Sequence, residues 1–286
     1  LRARFDEEAN ISLAAKLQEA GAHVVYGVVG YKTHAKMLLI IRRESHHLRQ
    51  YAHIGTGNYH SRTARLYTDY GLFTANKKIC EDLNRVFHQL TSMGQTKNLN
   101  KLLQSPFTLQ EVLEAKIERE RQHALQGIPS RIIVKLNSLV DAAMIRALYE
   151  ASSAGVKIDL IIRGMCSLRP GLPGISENIQ VRSIIGHFLE HDRVIYFKNN
   201  DTPEVYISSA DWMERNLYHR VEIATPIENK SIQERIISEL EYYLMDNTQA
   251  WVMHHDGTYT KVSPENGKEA FIAQEKFLED LAESSC

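Results

Sequence analysis

Two short motifs pair an imidazole with a cation two positions on: His34-Ala-Lys36 in "YKTHAKMLLII" and His191-Asp-Arg193 in "FLEHDRVIYF". A neutral imidazole near pH 7 serves as a nucleophile or as a proton carrier. An adjacent cation holds a phosphate oxygen and offsets the charge that builds up in phosphoryl transfer. On a strand, residues i and i+2 point the same way, so each motif is expected to show its histidine and its cation on one face. Each motif is followed by a loop of small residues, Gly55–Asn58 ("GTGN") and Ser208–Asp211 ("SSAD"), whose hydroxyls and backbone N–H groups can approach an anion closely. A single H-x-K arises often by accident; two copies at matching places form a much stronger signal.

The elements that must position these motifs repeat as well. The first copy reads as a helix from Glu7 to Ala20, with Asp6, Glu7 and Glu8 at its N-terminal dipole end and Gly21 as its stop. Leu13, Ala14, Leu17 and Ala20 form its apolar stripe. Strands are expected at "HVVYGVV", at "THAK" and near Tyr51 to Ile54. The second copy starts at "SLVDAAMIRALYEASSAG", where Ser138 and Asp141 make a capping-box pattern and Gly155 matches Gly21. Strands "VKIDLIIRG", "FLEHDRVIYF" and "EVYISSADW" follow. Between the copies, "TLQEVLEAKIERERQHALQGIP" reads as a helix with a solvated face, capped by Thr108 with Glu111 and stopped by Gly127 and Pro129. This pattern predicts an α/β fold of two duplicated domains, 1–104 and 105–286, divided near Gln104.

Bulk properties exclude several classes. The chain has 286 residues and a formal net charge of −1, which gives no support for a polybasic nucleic-acid binder. Cys80, Cys166 and Cys286 form no C-x-x-C pair, so they read as ordinary thiols of a reducing compartment. No apolar run is long enough to span a bilayer and no signal peptide is evident, so a cytoplasmic location is expected; peripheral association at the inner membrane face stays open. The opening "LRARFDEEANI" runs from a strand end straight into a helix start, so a preceding N-terminal part is expected. His46–His47 and His254–His255 suggest metal ligands, but neighbouring strand residues face opposite ways, which suits joint ligation poorly. His187 shares the parity of His191 and reads as a support, and Trp212 reads as a core aromatic.

The paired H-x-basic strands resemble the phospholipase D superfamily, in which two such motifs meet across a pseudo-twofold axis. This chain departs from that pattern: Ile40 and Ile41 stand where an aspartate usually follows the lysine, and Arg193 replaces the second lysine. Longer strings, "ARFDEEANI", "THAKM", "GTGNYHSRTARLYTDYGLFTA", "FLEHDRVIYF", "SSADWMERNLYHRVEIATP" and the tail "WVMHHDGTYTKVSPENG", resemble the polyphosphate kinases of the first class. The resemblance implies the C-terminal catalytic portion, two phospholipase D-like domains meeting at a shared site. It implies reversible transfer of the ATP terminal phosphate to polyphosphate through a phosphohistidine, with Mg2+. His34 would be the phosphorylated residue and His191 the second catalytic histidine. Tyr67 would pack on the adenine, and Arg163 and Arg220 would bind phosphates beside Lys36 and Arg193. Arg4 matches a position linked to the magnesium–phosphate site; a guanidinium has no free lone pair, so Arg4 reads as a phosphate clamp near the metal. ATP, ADP and inorganic polyphosphate are the implied partners, with a dimer or higher oligomer in the full-length protein and no nucleic acid. A phosphodiesterase or nuclease, or a phosphate-polymer-binding fragment without turnover, are the rival readings.

Overall fold

The computed structural model describes residues 7–27, 30–92 and 99–283; Arg4 and Cys286 lie outside them. The first half comprises α1 (Glu7–Glu19), β1 (Lys32–Thr33), β2 (Lys36–Glu44), β3 (His47–Gly55), β4 (Tyr67–Thr68), β5 (Gly71–Thr74) and α2 (Lys77–Ser92). The second comprises β6 (Leu103–Ser105), α3 (Leu109–Leu125), β7 (Arg131–Leu136), α4 (Ala142–Ser153), β8 (Lys157–Ile162), β9 (Ile179–Ile184), β10 (Leu189–Glu190), β11 (Arg193–Phe197), β12 (Glu204–Ser208), α5 (Glu214–Tyr218), β13 (Arg220–Pro226), α6 (Lys230–Met245), β14 (Ala250–Met253), β15 (Tyr259–Lys261) and α7 (Ala273–Glu283). The architecture is mixed α/β, with the duplicated halves expected from the repeat.

The large sheet runs β1-β13-β12-β11-β7-β8-β9-β14-β15, with β6 also on β13. Its near-continuous apolar strands are explained by burial on both faces. One face packs on α3 and α4 through Leu113, Ile117, Met144 and Leu148. The other packs on α6 and α7 through Ile236, Leu240, Tyr243 and Ala273. In the first half, β2, β3 and β5 form an antiparallel sheet. Its inner face, Ala52 and Ile54, meets Ile79, Leu83 and Val86 of α2.

Two short parallel ladders join the halves. β1 lies beside β13, with Lys32 opposite Arg220 and Thr33 opposite Val221. β4 lies beside β10, with Tyr67 opposite Leu189 and Thr68 opposite Glu190. These ladders alter the strand reading of both motifs. His34 sits in the break between β1 and β2, because the N–H groups of His34 and Ala35 both donate to the Val221 carbonyl, at 2.9 and 3.0 Å. His191 sits in the break between β10 and β11. Both histidines therefore lie just outside regular strands, although Arg193 still reaches the ring of its histidine, with Nη1 3.3 Å from Nε2.

Other local expectations are corrected too. Residues 23–27 of "HVVYGVV" form no strand; 28 and 29 lie outside the described residues. Asp141, not Ser138, caps α4, accepting from the N–H groups of Ala143 and Met144. Thr108 occupies the N-cap of α3 without a capping bond; its hydroxyl accepts from the Gln104 N–H at 3.1 Å. In α1, Leu13 and Leu17 stay exposed and Ala14 is buried. His46, His254 and His255 lie outside the strands, and His187 sits in a bend with its ring edge-on to Phe188. Gly21 and Gly155 take positive φ just after their helices, as the matched stops require. Trp212 is fully buried.

Asp82 of α2 fixes the approach to β6, and β6 in turn borders β13. Its buried carboxylate accepts from the N–H groups of Asn100, Lys101 and Leu102, at 2.8, 2.6 and 3.1 Å. Removing it leaves these donors without their acceptor. We expect Asp82→Ala to cost about 3 kcal/mol of stability by urea titration; a change under about 1 kcal/mol would show that the clamp is dispensable.

Candidate active site

The two ladders bring His34 to β13 and His191 to β4. Nδ1 of His34 lies 2.9 Å from Glu222 Oε2, and the same nitrogen is 2.9 Å from Oε1. Nδ1 of His191 lies 2.8 Å from Asp69 Oδ1. Each bond crosses between the halves. An ionised carboxylate only accepts, so each Nδ1 carries the proton and each Nε2 keeps its lone pair.

The small-residue loops orient those carboxylates. Thr56 donates its hydroxyl to Asp69 Oδ1 at 2.6 Å, and Ser209 donates to Glu222 Oε2. Asn216 adds a bond to Glu222 Oε1 at 2.7 Å. Gly57 is needed for the fit: a Cβ there would stand 2.1 Å from Asp69 Oδ2. The site therefore holds two relays of hydroxyl, carboxylate and imidazole, each shared between the halves. The hydroxyls of Thr56 and Ser209, expected at a bound anion, are engaged on the protein's own carboxylates, and that of Ser208 on the Ile223 carbonyl.

The cations of the two motifs share a second task. Lys36 folds back to donate to the His34 carbonyl. Arg193 Nη1 does the same to the His191 carbonyl, at 2.7 Å, and lies 3.3 Å from that ring's Nε2. Arg193 is also held by Asp211, with Nη2 to Oδ2 at 3.1 Å. Both cations act on both imidazoles. Burial is the main cause lowering the His34 pKa, with Glu222 opposing it and Lys36 and Arg193 adding to it. His191 follows the same pattern, with Asp69 as the opposing carboxylate. Burial likewise pushes Lys36 down to about 8.

The remaining expected residues converge here, apart from Arg4. The ring of Tyr67 lies 5.0 Å from that of His191, centroid to centroid, tilted by 45°. Arg220 opens β13 two residues before Glu222, on the same strand face. Arg163, just after β8, donates to Asn137 Oδ1 from Nε at 2.8 Å and Nη2 at 2.6 Å. Beneath His191, Lys135 is buried and paired with Glu190 and Asp192, the two neighbours of the histidine in sequence.

Asp69 and Glu222, the carboxylate partners of the two imidazoles, are the candidate functional residues that the motif reading missed. The aspartate expected after Lys36 would come from the same half as His34, whereas the carboxylate comes from the other. A signal was present: Asp69 and Glu222 each stand seven residues before an asparagine, Asn76 or Asn229, at the start of the next helix. For a metal, the described residues contain no group of three or more His, Cys, Asp or Glu side chains placed to hold an ion. Asp69 and Glu222 are already committed to imidazoles and hydroxyls, so these residues do not form a preformed magnesium cage, and no step is assigned to one.

Residues 1–96 match the family model described as "Polyphosphate kinase C-terminal domain 1", and residues 102–274 match "Polyphosphate kinase C-terminal domain 2". A polyphosphate kinase of Pseudomonas aeruginosa is 58% identical over 282 residues, covering 99% of this chain and 41% of that protein. One from Neisseria meningitidis is 56% identical over 269 residues, covering 94% of this chain and 39% of that protein. The crystal structure of polyphosphate kinase from Porphyromonas gingivalis matches with a TM-score of 0.89 at 35% identity, over 99% of this chain and 44% of that one. The chain thus spans less than half the length of these relatives.

The crossed bonds set a measurable direction. Because the folded pKa of His34 lies below its ordinary 6.5, its contribution to stability is intact above that value and is lost as pH falls through the folded pKa. Glu222 opposes that shift, so Glu222→Gln should lower the His34 pKa further. Titration of the imidazole carbon signals by NMR reads it directly; a rise would mean that Glu222 does not face the imidazole as a carboxylate.

Proposed function

Because this chain belongs to the polyphosphate kinase family, we propose that it carries the catalytic portion of an ATP–polyphosphate phosphotransferase. The observation that carries this reading is the pair of cross-half imidazole–carboxylate bonds, which leave two Nε2 lone pairs in one cationic neighbourhood. Nε2 of His34 attacks the γ-phosphorus of ATP. The N–P bond forms as the bond to the β,γ-bridging oxygen breaks, and ADP leaves. A terminal oxygen of polyphosphate then attacks the phosphohistidine; the new P–O bond forms as the N–P bond breaks, and the sequence runs in either direction. Glu222 steadies the positive charge that grows on the attacked ring.

His191 stands as the second imidazole, its Nε2 beside the Arg193 guanidinium and placed to exchange a proton with the phosphate chain. Tyr67 is read as the adenine contact; its packing on His191 supports a nucleotide lying beside that ring. Arg163 and Arg220 are read as phosphate contacts, suited to a polyanion by their bidentate geometry. Lys36 and Arg193, both buried, act on the transferred group chiefly through their field. Magnesium is read as arriving on the nucleotide phosphates, the usual mode for an ion that keeps several waters. The division between halves stays near Gln104, on β6. Residues 1–104 and 105–286 are read as the two catalytic domains.

Incubation of the full-length protein with γ-labelled ATP should leave an acid-labile, base-stable label on His34, and His34→Ala should abolish it. Diester cleavage without label would favour a phosphodiesterase. Tight polyphosphate binding with neither outcome would favour a binding module.

The pKa shifts also fix a pH profile. kcat/KM should rise as His34 loses its proton below 6.5 and fall as Lys36 loses its own near 8. A guanidinium stays charged throughout this range. Lys36→Arg should therefore remove the alkaline limb, and a limb unchanged in that variant would clear Lys36 of responsibility.

A further inference from the structure

Asn137 lies one residue beyond β7, where the end of β8 and the start of β11 converge. It is 5% exposed. Its main chain is fixed on both sides. The N–H donates to Asp211 Oδ1 at 2.8 Å, and the carbonyl accepts from the Gly164 N–H at 2.7 Å. The approach to Gly164 is so close that a Cβ at that glycine would meet the Asn137 carbonyl oxygen at 2.8 Å.

Its side chain joins two parts of the site. Oδ1 takes both donors of the Arg163 fork, and Nδ2 donates to the His191 carbonyl at 3.0 Å. The amide orientation follows from chemistry: a guanidinium only donates, so oxygen must face Arg163, and nitrogen is then left for the carbonyl. Alanine offers neither group, and aspartate would turn an oxygen toward the His191 carbonyl.

The comparison with Arg193 shows why an amide is used. Arg193 is gripped by the Asp211 carboxylate, which offsets its charge. Arg163 is gripped by a neutral group, so its geometry is fixed while its charge stays available.

We propose that Asn137 is a positioning residue that sets Arg163 and His191 in one frame and grips Arg163 through a neutral group, leaving its charge for a substrate phosphate. This rests on the phosphotransfer reading above. Asn137→Asp would place a carboxylate on Arg163. Asn137→Ala would free Arg163 without altering its charge.

The test uses the full-length protein, with thermal unfolding as a check on folding, steady-state kinetics, and calorimetric binding of inorganic polyphosphate at several salt concentrations. In Asn137→Asp, KM and the polyphosphate Kd should rise about tenfold or more, with a flatter salt dependence because one cation is offset. In Asn137→Ala, the salt dependence should stay as in the wild type while kcat falls about tenfold or more. Equal losses in both variants that track the folded fraction would reduce Asn137 to a structural residue and overturn the proposal. So would wild-type affinity and kinetics in Asn137→Asp. Should the wild type bind polyphosphate yet transfer no phosphate, the functional reading falls. The calorimetric comparison then still decides the charge argument, because equal affinity of wild type and Asn137→Asp would end it.

Discussion

A hydrogen bond from His34 to Glu222 and one from His191 to Asp69 are the constraint on which the site rests, because both run between halves of the chain. Each fixes a tautomer, turns a ring and leaves an Nε2 lone pair open. Everything nearby serves these bonds. β1 beside β13 brings the first imidazole to its carboxylate, and β4 beside β10 brings the second. Thr56 and Ser209 aim the acids, and Gly57 makes room for one of them. Neither half holds a complete relay alone.

The cations are graded by what holds them. Lys36 has lost part of its hold on its proton through burial, Arg193 is offset by Asp211, and Arg163 rests on an amide. On the phosphotransferase reading proposed above, such grading helps release, since uniformly bare cations would hold product as tightly as substrate.

Much of this was legible in the sequence, and what was not has a common cause. The two histidines, their cations, the matched helix stops and the helices α3 and α4 follow from local spacing. The break in the strand at His34 does not, because the backbone at His34 and Ala35 turns to Val221, a residue of the other half. The same holds for the partners of the histidines: a pairing across more than a hundred positions leaves no local pattern, only the matched placement of Asp69 and Glu222 before Asn76 and Asn229. Thr108 shows a smaller case, in which a hydroxyl typed for a helix cap is taken by Gln104 instead.

The two seams between the halves are brief, each registering two residue pairs, whereas the large sheet is sandwiched by helices over its whole middle. Local opening free energies follow such differences in contact. The halves are also joined by packing, since Ile223 of β13 lies in the same core as Ile79 and Leu83 of α2, so loosening a seam would disturb the imidazole–carboxylate bonds without parting the halves.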